Sequence, residues 1–189
     1  MKKYNYIDLF AGCGGMSLGL EHAGFECKLA IEKDESACET FKHNISDKII
    51  CDDVKNIDSK KINNVDLLVG GFPCQPFSIS GLQDGFDGKE GDLFYHCVRF
   101  IKDIKPKVFV LENVPGFAKL SGGKFLNKAL GILSSLDYNV EWRELDSSKY
   151  GIPQIRKRIF IVGNSLKRKF EWPRELNDKP ISAFEAIDH

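Results

Sequence analysis

A short apolar run that ends in two glycines, a cysteine and two prolines constrains this chain more than any other stretch. Val65-Asp66-Leu67-Leu68-Val69 has the composition of a buried strand, and Gly70-Gly71-Phe72-Pro73-Cys74-Gln75-Pro76-Phe77-Ser78 follows it directly. Pro73 and Pro76 fix φ and remove backbone donors, so the segment continues neither as helix nor as a central strand. The strand therefore delivers Cys74 to its C-terminal end, the edge at which open α/β sheets bind ligands. A cysteine on a stiff turn has a defined direction, which a nucleophile needs. A buried packing thiol is the plainer alternative, and the rest of the chain decides between them.

The first half reads as strand, turn and helix in repetition. Residues 4–10 form a strand, Ala11-Gly12-Cys13-Gly14-Gly15 a tight turn, and 16–23 a helix with Leu18, Leu20 and Ala23 as its apolar positions, closed by Gly24. Glycines let a backbone approach a ligand closely, and a helix N-terminus offers free N–H groups. A dinucleotide fingerprint fails, because Ser17 stands where the third glycine of GxGxxG belongs. Phe10-x-Gly12-x-Gly14-Gly15 suits a different adenosine ligand, or a turn whose glycines serve packing alone. A second strand over 27–31 ends at Glu32, where a carboxylate would accept both hydroxyls of a ribose. Asp34 opens a helix through Asn44. A third strand, 49–51, ends in Asp52-Asp53, acids suited to the amino group of an adenine.

Beyond Cys74, residues 78–91 carry four glycines, which predicts a lid-like loop, or a plain solvent loop. Residues 92–104 are predicted as a helix with Leu93, Val98, Ile101 and Ile104 on its apolar side. The run 107–111 reads as a strand covered on both faces. Glu112 follows it at the same sheet edge as Cys74. Burial there would favour its neutral form and let it donate a proton, whereas a salt-bridged rim residue is the alternative. A helix over 125–136 and a strand over 140–145 come next, then a turn at 150–153. In a strand over 154–163, Arg156 and Arg158 point to one side, as phosphate or a pyrimidine O2 would require, or as a charged sheet edge would.

Composition excludes several classes. The longest apolar runs are too short to span a bilayer, and the N-terminus enters a strand with no signal-peptide core, which predicts a cytoplasmic protein. Six cysteines without a CxxC pair read as free thiols, and four scattered histidines predict no metal site. Formal net charge is zero, yet residues 1–95 hold 10 basic and 16 acidic side chains, and residues 96–189 hold 17 and 11. A polyanion would approach the second half. Residues 167–189 read as a linker followed by a capping box, Ser182-Ala183-Phe184-Glu185, that announces a helix.

Five motifs in order resemble the DNA (cytosine-5)-methyltransferases, over residues 4 to 163. They are Asp8-Leu9-Phe10-Ala11-Gly12-Cys13-Gly14-Gly15, the acids Glu32 and Asp53, Gly71-Phe72-Pro73-Cys74-Gln75, Glu112-Asn113-Val114, and Gln154-x-Arg156-x-Arg158. The resemblance implies a Rossmann-like S-adenosylmethionine-dependent methyltransferase fold, an α/β architecture with a mostly parallel sheet and helices on both faces. Residues 1–166 would be the catalytic domain, and 167–189 would lead toward an absent target-recognition domain.

The same resemblance implies a function. Cys74 would add to C6 of a flipped-out cytosine, its thiolate favoured by Arg156 or Arg158, while Glu112 acts at N3 and Arg158 holds O2 with support from Arg156. Phe10, Gly12, Gly14, Glu32, Asp53, Val54, Pro73 and Leu93 would hold S-adenosylmethionine, with no metal. Phe72, Gln75, Ser78, Ser80 and Val114 would meet the substrate, double-stranded DNA. Full-length members continue further, so the resemblance implies a second chain carrying target recognition, a natural truncation, or a catalytic segment of a longer enzyme. The setting would be a restriction–modification system, on the nucleoid and away from membranes. A silent cofactor-binding subunit and an RNA cytosine-5 methyltransferase are the alternatives.

Overall fold

The computed structural model describes residues 3–73, 93–176 and 181–187. The chain divides into two compact units, Met1–Leu111 and Glu112–His189. The first is built on β1 (Asn5–Leu9), β2 (Glu26–Glu32), β3 (Ile49–Cys51), β4 (Leu67–Gly70) and β5 (Val108–Asn113), whose last two residues pass into the second unit. These strands lie in the order β3-β2-β1-β4-β5, and every neighbouring pair is parallel. From β1 the chain steps outward one way through β2 and β3, then returns to β4 and steps the other way. Right-handed crossovers therefore place α1 (Gly15–His22) and α2 (Glu35–Asn44) on one face and α3 (Leu93–Ile104) on the other.

Period-two alternation fills both faces. Tyr6, Ala30, Leu67 and Val69 cluster with Phe41 of α2, while Met16 and Leu20 of α1 pack against them. The intervening Ile7, Leu9, Ile31 and Leu68 are equally buried and serve the opposite face. Asp34 caps α2 as its sequence predicts, accepting from the Ala37 N–H at 2.8 Å.

The second unit holds α4 (Pro115–Lys119), α5 (Lys124–Ser134) and a hairpin of β6 (Asn139–Asp146) with β7 (Lys157–Asn164). The hairpin is antiparallel, from Asn139 opposite Asn164 to Asp146 opposite Lys157. α6 (Ala183–Ile187) begins in a reciprocal capping box. The Ser182 N–H donates to Glu185 Oε2 at 2.8 Å, and the Glu185 N–H donates to Ser182 Oγ at 3.1 Å.

Four local expectations change. Leu18 and Ala23 of the α1 region face solvent, and Ser17 is the buried residue of that helix because it bonds a buried acid in β1. α3 buries Phe94, Cys97 and Phe100 beside Val98 and Ile101, a wider apolar face than its sequence spacing implied. β5 is covered unevenly: Phe109, Leu111 and Asn113 are buried, and the residues between them are half-buried. β7 starts at Lys157, so Arg156 precedes the strand and strand alternation does not align it with Arg158.

Gly14 is fixed by packing. Its φ is +92°, and an added Cβ would stand 2.7 Å from Ile45 Cγ1 and 2.9 Å from Phe41 Cδ2. Gly12 also has positive φ, +54°, but nothing lies within 4 Å of where its Cβ would be. Gly14→Ala is therefore expected to lower stability by about 2–5 kcal/mol and Gly12→Ala by about 1–2 kcal/mol. Urea unfolding of the two variants checks the difference.

Candidate active site

Register gathers the candidate residues of the first unit. Leu9 pairs with both Ile31 and Gly70, Glu32 with Cys51, and Gly70 with Leu111. Phe10, Glu32, Asp52-Asp53 and Gly71-Phe72-Pro73 therefore leave the sheet at one edge, where the strand order reverses between β1 and β4. A cavity of about 150 Å³ opens there. Phe10, Glu32, Asp53, Val54, Pro73 and Leu93 line it, and Ile31, Lys33, Asp52 and Gly71 complete its wall. Gly12 and Gly14 are not among the lining residues. Phe10 carries a φ of +61°, a left-handed conformation that costs a non-glycine residue about 1–2 kcal/mol.

Glu32 is held in place by the backbone. Its Oε2 accepts from the Gly12 N–H at 2.9 Å, and its Oε1 accepts from the Lys33 and Asp34 N–H groups, both at 2.9 Å. A carboxylate offers roughly four lone pairs, so one on Oε2 remains open. Asp53 accepts from the Lys55 N–H at 3.0 Å, a bond that holds its carboxyl below the usual carboxylate range.

One acid of the first motif has no role of its own in the sequence reading. Asp8 in β1 is 1% exposed and accepts from the Ser17 hydroxyl at 2.7 Å. Burial pushes its carboxyl up to about 7; the Ser17 hydrogen bond opposes the rise, and the Glu32 charge adds to it. The signal available in sequence was a charged residue in the middle of an apolar strand.

In the second unit, Arg158 Nε lies 2.7 Å from Glu112 Oε1, with the two side chains 23% and 21% exposed. Glu112 is thus half-buried and ion-paired, not an isolated buried acid. One Arg158 Nη1–H turns back to the Lys157 carbonyl at 2.7 Å. Arg156 is exposed, and its backbone N–H donates to Asp146 Oδ1 at 3.3 Å. Val114, at the start of α4, is exposed, and its N–H donates to Asn113 Oδ1. Phe72 is buried, its ring 5.6 Å from that of Phe94. Cys74, Gln75, Ser78, Ser80 and the glycine-rich loop of 78–91 lie outside the described residues. Among the described residues no group of three or more His, Cys, Asp or Glu side chains is gathered for a metal ion, and no helix is long and apolar enough to cross a membrane.

The sequence matches the family described as C-5 cytosine-specific DNA methylase over residues 4–187. The chain belongs to this family. Within the C-5 cytosine-specific DNA methylases it is 46% identical over 165 residues to Type II methyltransferase M.PspPI of Psychrobacter sp. (strain TA137), a match covering 86% of this chain and 40% of that protein. It is 37% identical over 199 residues to Type II methyltransferase M.AquIA of Picosynechococcus sp., covering 96% of this chain and 80% of that protein. Its backbone is similar to a crystal structure of a candidate prophage-encoded DNA modification methyltransferase of E. coli, with a TM-score of 0.76 and 30% identity, covering 98% of this chain and 54% of that one. That likeness bears out the Rossmann-like methyltransferase fold and its mostly parallel sheet. The chain spans about half the length of the first curated relatives it matches.

Two outcomes follow from the Glu32 and Asp8 carboxylates. In Glu32→Gln one end of the amide is an N–H donor, which faces either Gly12 N–H or the Lys33 and Asp34 pair. Stability should fall by about 1–3 kcal/mol, and amide hydrogen exchange at Gly12 should accelerate. For Asp8, the folded protein binds the proton more tightly than the unfolded chain. Its stability contribution is therefore present below about pH 4 and is lost as pH rises through about 7. Denaturant melts between pH 4 and 8 should show wild type losing up to about 4 kcal/mol relative to Asp8→Asn, which keeps the acceptor without the charge.

Proposed function

We propose that this chain carries the catalytic portion of a DNA (cytosine-5)-methyltransferase of a restriction–modification system. The observation that carries the reading is the Glu112–Arg158 pair at 2.7 Å. It joins two motif residues far apart in sequence into one acid–guanidinium unit, as chemistry on a pyrimidine N3–C2–O2 edge requires.

Phe10, Glu32, Asp53, Val54, Pro73 and Leu93 would hold S-adenosylmethionine, with Gly12 and Gly14 shaping the turn beside them. The fit is chemical and steric. Glu32 has one lone pair open for a ribose hydroxyl, and Asp53 is a second acceptor on the same cavity. The space where a Gly12 Cβ would stand is empty. A volume of about 150 Å³ is below the roughly 300–1,000 Å³ of pockets that enclose a whole ligand, which suits enclosure of one end of the cofactor. When bound, S-adenosylmethionine supplies a methyl group on a sulfonium.

The chain's own residues then do the following. The Cys74 thiolate adds to C6 of a cytosine turned out of the duplex, and the C5–C6 electron pair moves to C5. Glu112, in its protonated form, donates to N3 as C6 is attacked, and free N–H groups of Arg158 hold O2. Once C5 carries the methyl group, removal of its proton restores the C5–C6 double bond and expels Cys74. Phe72, Gln75, Ser78, Ser80 and Val114 would contact the DNA or the base, with Arg156 supporting from the residue before β7.

Double-stranded DNA is the substrate in this reading. Sixty per cent of M.PspPI has no counterpart in these residues, whereas the match spans 80% of M.AquIA. We therefore assign target recognition to a further segment, on this polypeptide or a second chain, in the manner of a split enzyme.

The test is tritium transfer from labelled S-adenosylmethionine to duplex DNA, by the chain alone and with the remaining portion of a relative added. DNA containing 5-fluorocytosine should trap a denaturant-stable adduct that disappears in Cys74→Ser. Glu112→Gln should slow transfer about 10²- to 10⁴-fold. Cofactor binding with neither transfer nor adduct would establish the silent-subunit reading instead. Methylation of tRNA in preference to duplex DNA would establish the RNA reading.

A further inference from the structure

Two walls of the cavity come from separate parts of the first unit. α3 brings Leu93, and the segment after β3 brings Asp53 and Val54. Within itself that segment is held by short-range bonds, with the Asp53 N–H and Asn56 Nδ2 donating to Asp52 Oδ1 and the Lys55 N–H donating to Asp53 Oδ1. Val54–Asn56 is a single 3₁₀ turn, and its closing bond, from the Ile57 N–H to the Val54 carbonyl, is 3.3 Å long. Arg99, six residues along α3 from Leu93, reaches across to it. One nitrogen, Nη2, donates to the Val54 carbonyl at 2.8 Å and meets His96 Nδ1 at 3.3 Å. The other, Nη1, donates to the Ile57 carbonyl at 2.8 Å and to Ser59 Oγ at 3.1 Å. Ser59 in turn donates to Asp103 Oδ2, also on α3. Arg99 thus closes a network between the helix and the loop, with its guanidinium carbon 4.7 Å from the Phe100 ring centroid.

We propose that Arg99 is a positioning residue for the cofactor cavity, fixing the Asp53–Val54 wall at a set distance from Leu93. The inference rests on reading the cavity as the S-adenosylmethionine site. The planar fork gives each carbonyl its own nitrogen at the same 2.8 Å, Nη2 on Val54 and Nη1 on Ile57, a two-point contact that a single ammonium does not reproduce with the same geometry. Without the fork, the Ile57 carbonyl and Ser59 Oγ lose the Arg99 donor, the Val54 carbonyl keeps only the Ile57 N–H at 3.3 Å, and the turn is free to shift away from the helix.

The test is isothermal titration of the full chain with S-adenosylhomocysteine. Arg99→Gln should weaken binding at least tenfold, Arg99→Lys three- to tenfold, and Lys102→Gln, exposed on the same helix, less than twofold. In an Asp53→Asn background the Arg99→Gln loss should shrink below threefold, because the wall that Arg99 holds no longer contributes in full. General damage to the fold would instead give the same loss in both backgrounds, and that result overturns the proposal. If Arg99→Gln does not fold by circular dichroism, the same cycle run with Arg99→Lys should fall below twofold in the Asp53→Asn background. Wild type that fails to bind would remove the cavity reading and the inference together. Wild type that binds, with Arg99→Gln within threefold of it, would remove the inference alone.

Discussion

Three backbone N–H groups converge on the carboxylate of Glu32, and the geometry of the ligand edge depends on that convergence. Gly12 comes from the turn after β1, and Lys33 and Asp34 from the turn that opens α2. Each turn is a few residues long and leaves donors with no partner in a strand. One anion satisfies all three at once, and charge-assisted bonds of this kind are about twice as strong as neutral ones. The same bonds fix the rotamer of Glu32 before any ligand arrives. A side chain that receives its partners from the backbone needs little reorganisation on binding, so its remaining lone pair is presented in one direction.

The strain at Phe10 follows from this arrangement. β1 must stop where Leu9 still pairs with Ile31 and Gly70, yet three residues later the Gly12 N–H must face Glu32. A left-handed step at residue 10 makes the reversal within that distance. Glycine there would remove the strain but also the ring that lines the cavity, and the chain keeps the ring. Glycine is kept at 14, where Ile45 and Phe41 leave no room for a side chain. Strain and glycine therefore sit at neighbouring positions for opposite reasons, one favouring the cavity and the other the core.

Where residue type and local geometry agree, the sequence is legible. β3 is a three-residue strand readable at its true bounds because the apolar Ile49-Ile50-Cys51 is followed at once by two aspartates. The Asp34 cap and the Ser182–Glu185 box are readable because each motif is closed by bonds within three residues. Positions whose environment comes from distant chain are not. Ser17 displaces Leu18 from the inner face of α1 because of Asp8, nine residues away in another element. The start of β7 depends on Asp146, which takes the Arg156 N–H and so holds that residue outside the strand. Among the candidate residues, the ones that end parallel strands are legible, since a strand end is local. The partner of Glu112 is not, because nothing near it in sequence says that a guanidinium will lie against it.

That partner fixes the direction of Glu112. Arg158 is itself held at two points, with Nε on the carboxylate at 2.7 Å and one Nη1–H turned back on the Lys157 carbonyl. The two side chains are only 23% and 21% exposed, so the pair is screened less by water than an ion pair on the open surface. Under the proposed function, a carboxyl and a guanidinium held together in this way would present an acid and N–H donors to one edge of a pyrimidine in a geometry set before the base arrives.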